Sequence, residues 1–372
     1  MYFNSFQFLL LFLPVTLLGF YLINRVEPCR WPIVWLVGAS LVFYGFCNLV
    51  LVGVLIGSVL TNYVLGRFFN DSQISKVNLK KILYFGIICN LGVLIYFKQF
   101  GFYGGSQPHE FSPAYPWGVI IPVGLSFFTF QQIIYLVEVW RGRVDGNSFW
   151  NYFLYVVFFP QLLNGPIVRP NEFFPQLVDK KFFKFQADRI AAGLTIFSCG
   201  LFKKVVLADG IARYSDSAFD AVAQGAVLSM MEAWSGTLSF TLQVYFDFSG
   251  YSDMAVGLGC LLGIRLPINF ESPYKASSLI EFWHRWHMTL SRFVRDYIYI
   301  PLGGNRKGSL KRTGNIFIIM LIGGIWHGTG TTFIVWGSLH GGLLAINHLW
   351  RQLQNSLGYS LERKNFIYEI SG

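Results

Sequence analysis

The sequence predicts an all-α, polytopic integral membrane protein. Only 13% of its 372 residues are charged, about half of the ~25% typical of a soluble domain, and 53% are hydrophobic. The mean hydropathy is +0.47, and several apolar runs approach the roughly 20 residues with which a helix crosses a bilayer. A soluble fold could not bury this much apolar surface, because much of its chain must face water.

Net charge and cysteine usage narrow the class further. The chain carries 29 Lys and Arg against 19 Asp and Glu, which gives a net charge of +10. In a membrane protein this excess is typical of basic cytoplasmic loops, so we expect membrane lipids and no nucleic acid as partners. The five cysteines stand singly, without a CxxC pair, which argues against a disulfide scaffold and a zinc ribbon.

Nine apolar segments are predicted to span the bilayer. The first lacks the basic residues that precede the apolar core of a signal peptide, so we expect it to be retained. The predicted spans are 5–23, 31–48, 49–66, 82–97, 117–140, 190–208, 231–248, 314–327 and 331–349.

Two further apolar segments are predicted to be broken. The run in 149–168 ends in Pro160, Gly165 and Pro166, and 252–264 is too short to cross alone. Broken helices persist at membrane depth only when they are buried in protein or line a cavity. These segments are therefore expected to be re-entrant and to point towards a functional site.

The basic residues predict the orientation. If the loop 67–81 faces the cytoplasm and both broken segments are re-entrant, 25 of the 29 Lys and Arg lie in cytoplasmic stretches, and the N-terminus is extracytoplasmic. Lys203 and Lys204, near the end of a predicted span, do not fit this distribution. No internal repeat is apparent, so we expect one membrane-embedded domain, 1–350, and a polar C-terminal tail, 351–372.

Asp247 and Asp253 place two carboxylates in an apolar setting. A charge in the membrane costs several kcal/mol, so such acids usually face a cavity or a partner. Because Asp followed by Ser-Gly suits a helix end, we expect both to cap helix termini. A direct chemical role is the alternative.

Residues 281–300 predict one basic amphipathic helix near the cytoplasmic interface. Its apolar stripe contains Trp283, Trp286, Leu290, Phe293 and Tyr297, and its polar stripe contains His284, His287, Ser291 and Arg295. One interpretation is a surface helix that binds lipid headgroups. The other directs His287 inward, to a site with a basic mouth that tolerates phosphate. The Gly-rich basic turn 301–307 follows, without the spacing of a Walker motif.

His327 lies in the least ordinary stretch, GGIWHGTG at 323–330. Four glycines in eight residues destabilise a helix but let backbone or ligand approach closely. A neutral histidine here could act as a general base, because its pKa lies near working pH. The alternative is a histidine that is hydrogen-bonded between helices.

Other site chemistries are less well supported. His284, His287, His327 and His340 could supply imidazoles for zinc, but the sequence lacks HExxH and the neighbours of the first two are arginines. No GxSxG nucleophile elbow is present. We therefore expect no metal.

Long linked runs resemble a known family. YFDFSGYSDMAVG at 245–257, INFESPY at 268–274, EFWHRWHMTLSRFVRDYIYIPLGGNR at 281–306 and GGIWHGTGTTFIVWGSLHG at 323–341 closely resemble the membrane-bound O-acyltransferases. FFPQLLNGPIVRP at 158–170 and SFFTFQQIIYLVEVWRG at 126–142 look like the bacterial alginate or polysaccharide O-acetylation branch of that family.

The resemblance implies site residues and an architecture. The histidine of the family's WHG motif, its presumed catalytic residue, corresponds to His327, and that of the RWH motif corresponds to His287. The implied fold is a ring of tilted helices around a thin centre, with a tunnel or funnel where donor and acceptor meet. Relatives usually continue well beyond WGxLHG, so the tail 351–372 is expected to be shortened or truncated.

The implied function is O-acetyl transfer in the bacterial cytoplasmic (inner) membrane. Acetyl would pass from cytoplasmic acetyl-CoA, with no bound cofactor, to an extracytoplasmic polysaccharide or a partner acetyltransferase. From their positive charge and their predicted cytoplasmic position alone, we expect four basic residues to attract the CoA phosphates: Arg292, Arg295, Arg306 and Lys307. The alternatives are D-alanyl or other acyl transfer from a carrier protein to an envelope polymer, and a non-enzymatic transporter.

Overall fold

The computed structural model describes residues 1–27, 30–46, 49–71, 73–103, 122–178, 184–306, 308–328 and 330–357. Regular structure within these ranges is helical, without strands, which confirms the all-α class. The chain divides into two compact units, 1–269 and 270–372.

The first unit contains most of the apolar helices. They are α1 (Phe8–Val26), α2 (Trp31–Gly45), α3 (Leu49–Phe68), α4 (Lys76–Tyr103), α5 (Leu125–Trp140), α6 (Phe149–Val157), α7 (Phe159–Leu162), α8 (Pro170–Val178), α9 (Ala187–Ala223) and α10 (Met230–Leu261).

Several helices have the length and hydropathy of membrane spans. Within the described ranges, four qualify by length and composition, namely Phe8–Val26, Leu51–Phe68, Lys76–Lys98 and Ala187–Ala223. The shorter apolar helices α2 and α5 fall in two further predicted spans. These helices support the multi-pass membrane class.

The predicted break in 149–168 is confirmed. Helix α6 ends at Val157, because the φ of −52° and ψ of 108° at Phe158 leave the helical region, and α7 lasts only four residues. Polar groups of this irregular segment bond internally: Tyr155 Oη donates to Val168 O at 2.9 Å, and Gln161 Nε2 donates to Tyr155 O at 2.6 Å. Every residue in 152–163 is buried. Burial within the protein therefore accompanies the non-helical backbone, which is the environment that the prediction of a broken segment requires.

The prediction of a separate short segment at 252–264 is wrong. Residues 230–261 form one helix, α10, which begins with a capping box between Ser229 and Glu232. The Ser-Gly pair at 249–250 marks a close helix contact instead of a helix end, since a Cβ on Gly250 would lie 2.8 Å from Gly200 O of α9.

Asp247 and Asp253 do not cap helix ends, because both lie inside α10 and pair with α9. Lys203 Nζ lies 2.5 Å from Asp253 Oδ2, and Lys204 Nζ lies 2.5 Å from Asp247 Oδ1. Asp209 Oδ1 is 2.8 Å from Lys204 Nζ. The lysines begin a π-helical turn, 203–208, which interrupts the α-helical geometry of α9. These ion pairs explain why two lysines occupy an apolar span.

The second unit carries a helical hairpin. Its helices are α11 (Leu279–Arg285), α12 (Met288–Val294), α13 (Ser309–His327) and α14 (Thr331–Ser356). Glycines allow α13 and α14 to touch through their backbones. A Cβ on Gly324 would lie 2.3 Å from Phe333 O, and one on Gly337 would lie 2.6 Å from Met320 O. This contact lies about one helical turn before His327, the last residue of α13.

Removing Asp253 should destabilise the first unit. Asp253→Asn leaves the Lys203 ammonium without its carboxylate, and we expect a loss of about 1–2 kcal/mol because both side chains are roughly one-third exposed. Thermal unfolding of the purified protein in detergent measures this, with Asp220→Asn, an exposed carboxylate of α9, as control. The exchange Lys203→Asp with Asp253→Lys should recover part of the loss. Equal melting temperatures for both single variants would contradict the ion-pair role.

Replacing each of two adjacent glycines of α13 by alanine should affect the stability of the protein differently. Gly324→Ala forces a methyl group against Phe333 O and should cost about 1–3 kcal/mol. Gly323→Ala meets nothing within 4 Å and should be neutral or slightly stabilising. Melting temperatures of the two variants provide the comparison. A similar change in both would show that hairpin packing does not require the glycine.

Candidate active site around His327 and His287

His327 is the last residue of α13, where the Gly-rich connection to α14 begins. Its side chain is exposed and lies between two indoles: the ring centroids are 4.6 Å from Trp326 and 5.2 Å from Trp336, the latter edge-on at 83°. A cavity of about 300 Å³ is lined by His327, Thr332, Phe333 and Trp336. The imidazole is therefore accessible from a small, mostly aromatic recess.

His287 does not lie on a continuous amphipathic helix, so that prediction is wrong. Helix α11 ends at Arg285. Trp286 is extended (φ −97°, ψ 126°), and His287 adopts the left-handed conformation (φ 43°, ψ 55°) before α12 begins. A left-handed residue with a Cβ costs of order 1–3 kcal/mol and persists only where surrounding packing enforces it. His287 is only 4% exposed, which agrees with such enforcement.

Burial keeps the His287 imidazole neutral. Burial, together with the smaller electrostatic effect of nearby His327, lowers the pKa of His287 to about 3. At physiological pH this ring therefore offers one N–H donor and one acceptor nitrogen. The structure thus brings together the two histidines expected from the sequence, one buried and one exposed.

Trp336 links His327 to further rings and was not singled out by the sequence analysis. Its centroid is 4.7 Å from that of His340 and 6.0 Å from that of Trp283. Trp336 and His340 are four residues apart on α14, so their shared helix face was a signal available in the sequence. Among the residues that the structure describes, no group of three or more His, Cys, Asp or Glu is arranged to hold a metal ion.

The basic residues expected near the site are not equivalent. Arg295 Nε lies 2.7 Å from Asp296 Oδ1, and this carboxylate raises the pKa of Arg295 while neutralising its charge. Arg292 is half-buried in α12, whereas Arg306 is exposed after a turn. Lys307 lies outside the described residues.

Comparison with known proteins gives a consistent family assignment. The model of the membrane-bound O-acyltransferase family matches residues 138–367. A peptidoglycan O-acetyltransferase of Helicobacter pylori is 40% identical, over 97% of this chain and 73% of its own length. The probable alginate O-acetylase AlgI of Azotobacter vinelandii is 38% identical, over 94% and 69%. A teichoic acid D-alanyltransferase of Bacillus subtilis is 28% identical, over 69% and 66%.

The family model covers more than half of the chain and includes both histidines of the site. The two relatives of higher identity align with almost the whole chain. Together with the apolar helices, these matches identify a multi-pass membrane enzyme that transfers acyl groups. The chain belongs to the membrane-bound O-acyltransferase family.

Proposed function

We propose that this protein moves an acetyl group from cytoplasmic acetyl-CoA to an extracytoplasmic polysaccharide or to a partner acetyltransferase. The observation that carries the proposal is the exposed His327 beside a small aromatic cavity, close to the buried, neutral His287. The relatives named for O-acetyl transfer, to peptidoglycan and to alginate, support the choice of acetyl and of a polysaccharide acceptor.

In this mechanism His327 acts as the general base. It takes the proton of the acceptor hydroxyl as that oxygen attacks the thioester carbonyl. The tetrahedral intermediate then collapses, the C–S bond breaks, and the CoA thiolate leaves and takes up the proton. His287, as a neutral imidazole, positions or polarises the acceptor or the thioester. A transient acetyl-histidine is the covalent variant of the same scheme.

Donor binding and membrane placement complete the proposal. The segment containing Arg292, Arg295, Arg306 and Lys307 attracts the CoA phosphates from the cytoplasmic side. The protein sits in the bacterial inner membrane with its N-terminus outside, and its helices form a ring with a tunnel for the two substrates. Since Asp296 neutralises Arg295, we assign Arg306 more weight within this segment.

D-Alanyl transfer from a carrier protein remains the second candidate, because the teichoic acid D-alanyltransferase also aligns with this chain. Its identity of 28% is below the 40% and 38% of the O-acetyltransferases. Supplying membranes with labelled acetyl-CoA or with a D-alanyl-charged carrier separates the two. Membership of an acyltransferase family argues against the non-enzymatic transporter.

Replacing His327 should abolish transfer without preventing folding. His327→Ala removes the base, and we expect acetyl transfer from labelled acetyl-CoA in membranes to fall by about 10²–10⁴-fold. The control is His284→Ala, which removes an exposed imidazole three residues from His287. Both variants should accumulate at wild-type levels. Near-wild-type transfer by His327→Ala would exclude the general-base role.

The buried imidazole should give stability an acid dependence. The unfolded chain takes up a proton at His287 near pH 6.5, whereas the folded protein resists it until about pH 3. Stability therefore rises with pH across this window and falls as the pH drops, by about 2 kcal/mol between pH 6.5 and 4.5. His287→Asn should flatten this slope in thermal unfolding, and His284→Asn should retain it. An unchanged slope in His287→Asn would show that His287 titrates normally.

A further inference from the structure

A second group of basic side chains lies at the opposite end of the hairpin from His327. Arg312, near the start of α13, contacts α14 through its Nη2, which lies 2.6 Å from His348 Nδ1. One turn further along α14, Arg351 Nη2 donates to Ser278 Oγ at 3.0 Å and acts electrostatically on His348. Lys311 is exposed next to Arg312. We call Lys311, Arg312, His348 and Arg351 the distal basic cluster.

The charge of the distal basic cluster is not balanced by acids. Within the described ranges, no carboxylate forms an ion pair with Lys311, Arg312 or Arg351. Glu281, on the helix that begins after Ser278, is already bonded to Arg285 at 2.7 Å and to the Ser277 hydroxyl at 2.7 Å. Arg312 thus contacts one histidine nitrogen and Arg351 one serine hydroxyl, and most of their N–H donors remain available for an anion.

The local backbone adds to this positive potential. Helix α13 is 19 residues long and begins at Ser309, so its unpaired N–H groups and the positive end of its dipole lie next to Lys311 and Arg312. The preceding glycines turn sharply, with φ of 110° at Gly303 and 86° at Gly308. Arg306 belongs to this turn.

The distance between the distal basic cluster and His327 is comparable to the distance between the thioester and the phosphates of an acyl-thioester donor. Arg312 and His327 are fifteen residues apart on one helix, which corresponds to about 22 Å. A phosphopantetheine arm joins a thioester sulfur to a phosphate over the length of roughly five extended residues, about 17 Å. The diphosphate and ribose phosphate of coenzyme A extend this reach further.

We propose that the distal basic cluster binds the phosphate groups of the acyl-thioester donor while its thioester lies at His327. This inference rests on the proposed function for the identity of the donor. It assigns phosphate binding chiefly to Arg312 and Arg351, which the sequence analysis did not select. Arg306 contributes from the adjacent turn.

Direct binding tests the cluster independently of catalysis. Purified protein in uncharged detergent is titrated with coenzyme A and with pantetheine, which lacks every phosphate. We expect wild-type protein to prefer coenzyme A, and Arg312→Gln/Arg351→Gln to weaken coenzyme A binding by roughly tenfold or more without changing pantetheine binding. Arg213→Gln, an exposed arginine of α9, is the matched control. His327→Ala should bind coenzyme A normally, so failure of the catalytic proposal is distinguishable.

Three results would overturn the assignment. Wild-type protein without a preference for coenzyme A has no donor-phosphate site. An equal loss of both ligands in the double variant, at an unchanged melting temperature, would show that the two arginines do not recognise phosphate. Retained coenzyme A binding, with loss of phosphatidylglycerol preference in mixed-lipid nanodiscs, identifies a lipid-headgroup site instead.

Discussion

The backbone contact between α13 and α14 is the constraint on which the candidate site depends. Gly324 and Gly337 lie where any side chain would strike the facing helix, so the hairpin can close only around residues without a Cβ. Lipid tails are as apolar as leucine, and close packing of small residues is a main source of helix association in membranes. The same contact holds His327, on α13, against Trp336, on α14. The length of α13 separates His327 from Arg312.

Several polar and charged groups in the first unit have partners within the protein. In the interrupted segment α6–α7, Tyr155 and Gln161 donate to nearby backbone carbonyls, and the lysines of the π-helical turn pair with aspartates of α10. In a bilayer an unpaired charge or amide costs several kcal/mol. The charged residues inside α9 and α10 are thus explained by their ion pairs with each other.

Helix content could be predicted from sequence because it depends on local properties. Local sequence also selected His287 and His327, which interact electrostatically in the structure. Apolar run lengths indicated the long helices, and the glycines around His327 indicated an unusual backbone. The predictions that failed required knowledge of tertiary neighbours. The Ser-Gly pair at 249–250 is typical of a helix end. Gly250 instead lies within α10 and packs against Gly200 of α9. The 3.6-residue stripe passes unchanged through 281–300, yet surrounding packing holds His287 in the left-handed region, which periodicity cannot reveal.

The different burial of the two histidines has a chemical consequence. Two imidazoles that interact electrostatically do not easily carry protons together, since each charge opposes the other. Burial resolves this competition by keeping His287 neutral. In the mechanism that we propose, a proton taken up during transfer therefore resides on exposed His327. His287 can then donate a hydrogen bond throughout the reaction without becoming an acid. A base that changes charge beside a partner that does not is the arrangement that acyl transfer to a hydroxyl requires, because the proton and the developing oxyanion need separate groups.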